Sequence, residues 1–220
     1  MSTSTGTAPS TSAYSTAFWD RLWRQSGIHS LVFCLIACGA LSSGNRAWIL
    51  VGSVLAGMAV LNLMWFAAAI RTALADAGRD GWGAAATASS SALGAMLLLL
   101  VAVNTALAYS ISASGNGALA SGLNDLAWAG VVLSSFPRAM LIMAGAFGFW
   151  RAGLISNSLF AAGVAAVVLV LLGGTTWMSS GFWAPDGVYS RYVSPIIGLV
   201  WIVVVTRVLL SRSPAVRTGW

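Results

Sequence analysis

Along this chain, apolar residues come in long runs separated by short polar breaks. The runs cover residues 27–41, 47–70, 83–111, 125–150, 154–178 and 192–210. A helix crosses the hydrocarbon of a bilayer in about 20 apolar residues at 1.5 Å each. The first run is short and is expected to extend back through Trp23; the others are long enough as they stand. None alternates apolar with polar, as barrel strands do, and helices satisfy their own backbone donors and acceptors. The pattern therefore predicts an all-α, polytopic transmembrane helix bundle of six spans.

The breaks and ends fill in this plan. Residues 1–17 (MSTSTGTAPSTSAYSTA) carry no charge and no periodicity and read as a disordered tail. Residues 18–24 hold two Trp and two Arg, which suits a short interfacial helix running into the first span. The transmembrane domain is then 18–212, with a short tail at 213–220. The break 71–82 (RTALADAGRDGW) reads as a frayed helix end and a turn. The break 179–195 has a tight turn at Pro185-Asp186-Gly187, flanked by Phe182, Trp183, Tyr189 and Tyr192. Such aromatics anchor a loop at the interface, or form a lid over an outward-facing cavity. The third and fifth spans share a faint layout of small and hydroxyl residues, then aliphatics, then a polar break. It would relate two hairpins as parallel repeats.

Composition removes the soluble classes. Of 220 residues, 58% are hydrophobic and 7% charged, whereas soluble domains carry about 25% charged residues. All eleven bases are Arg and all five acids Asp. Without Lys or Glu there is no Schiff-base lysine, no paired glutamate and no HExxH zinc motif. The net charge of +6 comes from scattered arginines, so nucleic acid is not an expected partner. The positive-inside rule explains them instead. With the N-terminus inside, Arg21, Arg24, Arg71, Arg79, Arg151, Arg207, Arg212 and Arg217 are internal, and only Arg46 and Arg191 external. Both termini are thus expected in the cytoplasm of a bacterial cell. The expected partners are the lipid bilayer and either further copies of the chain or a membrane partner subunit.

One charge breaks the pattern. Arg138 lies twelve residues from Trp150, about 18 Å along the fourth span and near the bilayer midplane. A charge there costs roughly 3 kcal/mol on insertion scales, so it marks a functional candidate. Pro137 beside it cannot donate to the preceding turn and predicts a kink. No acid lies inside a span to pair with Arg138. Counting depths from the inner face brings Asn62 and the run Ser89, Ser90 and Ser91 to overlapping levels, giving a candidate ligand-binding cluster with Arg138 in the inner half. The structural alternative is that Arg138 stiffens the kink through carbonyls freed by Pro137. In that reading small-residue pairs such as Ser90/Gly94 and Ala144/Gly148 only bring helices together.

The remaining chemistry is sparse. Cys34 and Cys38 lie one turn apart and read as buried free thiols. His29 stands on another face of the same span, so no metal or haem site is expected, and no cofactor. Asp125 is expected to cap the fourth helix. No nucleophile–base pair or phosphate-cradling loop is present, so the chain is not expected to be an enzyme, and there are no candidate catalytic residues.

The stretches NLMWFAAAIR (62–71), DAGRDGWGAAATASS (76–90), LNDLAWAGVVLSSFPRAMLIMAGAFGFWRAGLISN (123–157) and GFWAPDGVYSRYVSPIIGLVW (181–201) carry a resemblance. From its second span on, the chain resembles uncharacterised multipass membrane proteins of high-GC, actinobacterial-type bacteria. The resemblance implies a membrane bundle and no particular activity. Two function classes stay open. One is a small transporter- or channel-like bundle for an anionic or amphiphilic solute, with Arg138 at the site. The other is a non-catalytic membrane subunit or scaffold in which Arg138 is structural.

The topology is testable with a single cysteine at position 186 in a Cys34→Ser/Cys38→Ser background. Labelling from outside the cell is expected; labelling from the cytoplasmic side alone would reverse the orientation.

Overall fold

The computed structural model describes residues 11–41, 45–111 and 115–211. Among them the chain is all helical: α1 Thr11–Leu41, α2 Arg46–Asp76, α3 Asp80–Ala106, α4 Gly117–Leu133, α5 Ser135–Arg151, α6 Asn157–Gly173 and α7 Ser194–Ser211. Wider π-type turns extend α3 over Leu107–Ile111 and precede α7 over Tyr189–Val193. Five segments are long and apolar enough to cross a membrane, the longest being Gly117–Arg151, in which α4 and α5 run on as one. The 17 residues of α6, about 25 Å, fall just short.

Several boundaries differ from the sequence expectation, each for a local reason. Helix α1 reaches back to Thr11, into the stretch read as a disordered tail, and includes 18–24. Residues 1–10 and the tail 213–220 lie outside the described residues. The fourth span begins earlier than expected because Asn116, not Asp125, supplies the cap: its side chain accepts from Leu119 N at 3.1 Å. Asp125 sits exposed within α4. Conversely α6 starts at Asn157, where the Ser156 hydroxyl accepts from Leu159 N. It stops at Gly173, before the Thr175-Thr176 pair expected inside the fifth span.

The helices close into a ring. α1 packs on α2, α2 on α3, α3 on α5, α5 on α6, α6 on α7, and α7 back on α1. Small residues set the approaches. Ser30 donates to Ala59 O at 2.8 Å across α1 and α2, and Ser90 donates to Leu63 O at 3.3 Å across α3 and α2. Gly94 faces Val60 and Met64, and Gly148 faces Leu74 and Trp82. Both small-residue pairs singled out in the sequence therefore serve close helix contact. The centre is α5, buried along Ala139, Leu141, Ile142, Ala144, Ala146 and Phe149, and packed on Phe66 and Ile70 of α2 and Val205 of α7.

The two hairpins α2–α3 and α5–α6 turn alike. Gly78 and Gly153 take φ of +70° and +68°. Arg79 N donates to Leu74 O at 2.7 Å, and Leu154 N to Phe149 O at 2.8 Å, a glycine-closed helix end that L side chains resist. Between these turns Trp82, Phe147, Phe160 and Trp150 meet in series, with centroids 4.5–5.5 Å apart; the end pairs are stacked and Phe147 meets Phe160 edge to face. Arg24 donates to Leu209 O at 3.0 Å at the same end of the bundle. Arg46 and Arg191 lie at the other end, stacked on Tyr109 and Trp128.

Trp201 is the one tryptophan that the sequence places plainly mid-span, and here it is buried. A Cβ on Gly163 would lie 2.7 Å from its Cη2 and 2.8 Å from the Ala146 Cβ. The ring thus fills a notch that only glycine leaves open. Gly163→Ala should overpack this notch and cost about 1–3 kcal/mol, read as a lower unfolding midpoint in detergent. An unchanged midpoint would show that α6 shifts freely over Trp201.

Candidate anion site at Arg138

The site starts with the interruption that Pro137 makes. Ser134 N donates to Gly130 O at 2.9 Å and Arg138 N to Ser134 O at 3.2 Å, so the helical ladder continues on both sides. Pro137 has no N–H, and the carbonyl of Leu133 loses its usual partner. The helix is interrupted at the expected place by one turn centred on Ser134, at φ −62° and ψ −14°. The freed carbonyl does not receive Arg138. Instead the Ser134 hydroxyl donates to Val131 O at 2.6 Å and accepts from Arg138 Nη2 at 2.7 Å.

The second partner comes from α7. Arg138 Nη1 donates to Ser194 Oγ at 3.1 Å. Two glycines make room for this arrangement. A Cβ on Gly198 would stand 3.0 Å from Arg138 Cδ, so the aliphatic stem lies along bare α7 backbone. A Cβ on Gly173 would stand 2.7 Å from Ser194 Oγ and 2.8 Å from Ser135 Oγ, which brings the end of α6 onto Ser194 and onto Ser135 beside Ser134. Ser134, Ser135 and Ser194 are each at most 2% exposed, while Arg138 itself is half-buried.

Above this layer the chain folds back as a plug. Thr176 donates to Gly173 O at 2.8 Å and shares a 2.6 Å hydrogen bond with Ser190; both residues are buried. Residues 184–187 form the expected tight turn, with Gly187 N donating to Ala184 O at 2.9 Å. Gly187 is hemmed in by the carbonyls of Gly181 and Phe182, so no side chain fits there. Trp183 Nε1 donates to Thr175 O at 3.0 Å and Tyr189 OH to Leu169 O at 2.6 Å. The four aromatics thus divide: Trp183 and Tyr189 pin the plug to the bundle, while Phe182 and Tyr192 face outward.

The cluster expected in the inner half is not assembled. Asn62 donates to Met58 O, Ser89 to Ala85 O and Ser91 to Thr87 O, all within their own helices. Ser90 bonds Leu63 O between α3 and α2. None of them hydrogen-bonds Arg138. The physical reason is direction: side chains on a helix lean toward its N-terminus, so Arg138 reaches back over Ser134 and away from Trp150. Depth counting assumed the opposite lean. Ser134, four residues before Arg138, was findable from this rule; Ser194 and Gly198 were not, because nothing local announces the α5–α7 approach.

Electrostatically the guanidinium stands alone. Its two hydrogen-bond partners are neutral hydroxyls, whereas Arg71 pairs with the Asp80 carboxylate at 3.4 Å on the surface. Both cysteines are free; Cys34 is half-buried and Cys38 exposed, not sealed in the core as expected. Among the described residues no group of His, Cys, Asp and Glu could hold a metal. Compared with known proteins, the chain matches no family model, no curated protein and no solved structure.

Ser134→Ala and Ser194→Ala should each destabilise the protein by about 1 kcal/mol. A double-mutant cycle with Arg138→Met checks the cause, because each serine's cost should largely vanish once the guanidinium is gone. Fully additive losses would show that the hydroxyls act independently of Arg138.

Proposed function

We propose that the chain is a small transporter- or channel-like membrane bundle that takes an anionic or amphiphilic solute at Arg138. The observation that carries the reading is the uncompensated charge. Arg138 stays protonated at any physiological pH, is held by two neutral hydroxyls, and has no carboxylate beside it. Two of its five donors are used, and a further acceptor that brings negative charge would complete it. In this reading the protein is not an enzyme. It lies in a bacterial cell membrane with six spans and both termini in the cytoplasm, as arginine placement supports. The solute site would then lie toward the external end, beneath the plug of residues 174–188. The competing reading, a non-catalytic subunit or scaffold, draws on the same two hydrogen bonds as a purely structural clamp.

Thermal unfolding separates the two. Purified protein is heated with dodecyl phosphate, inorganic phosphate or, as the neutral control, dodecanol. Binding at Arg138 predicts a higher midpoint with an anionic member of the set and no such shift in a folded Arg138→Met protein. Arg138→Lys, which keeps the charge and loses the planar fork, should shift less. A protein that ignores every anion, yet is destabilised by Arg138→Met, would be a scaffold.

A further inference from the structure

A second cation stands at the end of an apolar groove, apart from Arg138. Where α2 begins and the π-type turn after α3 ends, the Arg46 guanidinium lies over the Tyr109 ring, 4.5 Å from its centroid. From there an open groove of about 530 Å³ runs along the outer surface, lined by Leu98, Val101, Ala102, Thr105 and Tyr109 on one side and Ser53 on the other. Residues 98–109 at these intervals form one face of a helix about 16 Å long. Arg46 and Ser53 are seven residues apart on α2 and share a face, so the cation marks the end of the groove.

The groove is apolar despite its hydroxyls. Ser53 donates to Leu50 O and Thr105 to Val101 O, both at 2.7 Å, so each turns its proton back into its own helix. Between Leu98 and Tyr109 the lining is small, with Ala102 and Ala106 presenting only methyl groups. Arg46 is exposed and, among the described residues, pairs with no carboxylate. Stacking on Tyr109 occupies a face of the guanidinium and leaves its N–H edges open. That edge geometry suits bidentate contact with a phosphate. Exposed Trp48 and Tyr109 at the same level are the aromatic girdle expected where hydrocarbon meets headgroups.

We propose that this groove holds one acyl chain of an anionic phospholipid, with its phosphate on Arg46. The occupant follows from the pairing of features: a hydrocarbon-lined slot opening onto the lipid-facing surface, and one unpaired cation at headgroup level over its end. A peptide or a polar solute would find no hydrogen-bonding partner along the slot. The site does not depend on the reading of Arg138, which lies elsewhere in the bundle.

Native mass spectrometry of the detergent-solubilised chain tests it, with phosphatidylglycerol and phosphatidylcholine of matched acyl chains as probes. The wild-type protein should retain phosphatidylglycerol preferentially. Arg46→Gln should weaken phosphatidylglycerol about tenfold, the size of one charge-assisted hydrogen bond, and phosphatidylcholine, whose phosphate charge is offset by its own choline cation, markedly less. Ala102→Phe, at an exposed position where the fold tolerates bulk, should fill the slot and weaken both lipids. Arg191→Gln is the control, because Arg191 also stacks on an aromatic ring, that of Trp128, at the same end. Equal retention of the two lipids by wild type would overturn the site. So would an Arg191→Gln loss as large as that of Arg46→Gln, which would make the effect one of general surface charge. A change of oligomeric state in Ala102→Phe without any change in lipid would assign the groove to a second copy of the chain instead.

Discussion

A guanidinium at membrane depth must find hydrogen-bond acceptors, and the packing of α5, α6 and α7 is arranged around that demand at Arg138. Ser134 supplies one acceptor from the preceding turn of the same span, and Ser194 supplies the other from α7. For Ser194 to reach, α7 must come close, which Gly198 permits by leaving its backbone bare under the arginine stem. For α6 to end against Ser194 and Ser135, Gly173 must lack a side chain. The layer around Arg138 thus accounts for the bare backbone at Gly198 and for the buried hydroxyls of Ser134 and Ser194.

The same bookkeeping of donors and acceptors runs through the bundle. Hydroxyls and amides on the outer faces of the helices bond carbonyls a turn back in their own helices, as Asn62, Thr72, Ser91 and Asn104 do. Those between helices bond across, as Ser30 and Ser90 do. Among the described residues the Thr206 hydroxyl is the buried group with no partner; it packs against Gly27, where only a Cα–H faces it. Polar residues in these helices therefore stabilise approach at particular points while the hydrocarbon-facing surface stays apolar.

The two ends of the bundle are built differently. At one end two glycine-closed turns and a series of four aromatic rings join α3, α5 and α6 into a closed surface. At the other the chain leaves α6 early, descends as the plug and re-enters through a π-type turn before Ser194. Arg138 leans toward that second end. That end is therefore closed by a hydrogen-bonded loop, held by contacts such as Thr176–Ser190, rather than by packed helix ends.

Hydrophobic pattern alone determined the helical class, because a run of 20 or more apolar residues has few other ways to satisfy its backbone in lipid. It also located the breaks, since Gly78, Gly153 and Pro185-Asp186-Gly187 are local backbone requirements that no tertiary contact is needed to define. The importance of Arg138 was legible for the same reason: the cost of a charge in hydrocarbon is a property of the residue and its depth. Its partners were not. Asn62 and Ser89–Ser91 matched it in depth, but depth is one coordinate of three, and the azimuth of each helix is set by packing. Only the ring closure of α7 onto α1 and α6 brings Ser194 and Gly198 to the arginine, and only the shortened α6 places Thr176 and Ser190 above it. Those choices rest on glycine notches and a buried Trp201, whose effect depends on which surface each helix turns toward its neighbours.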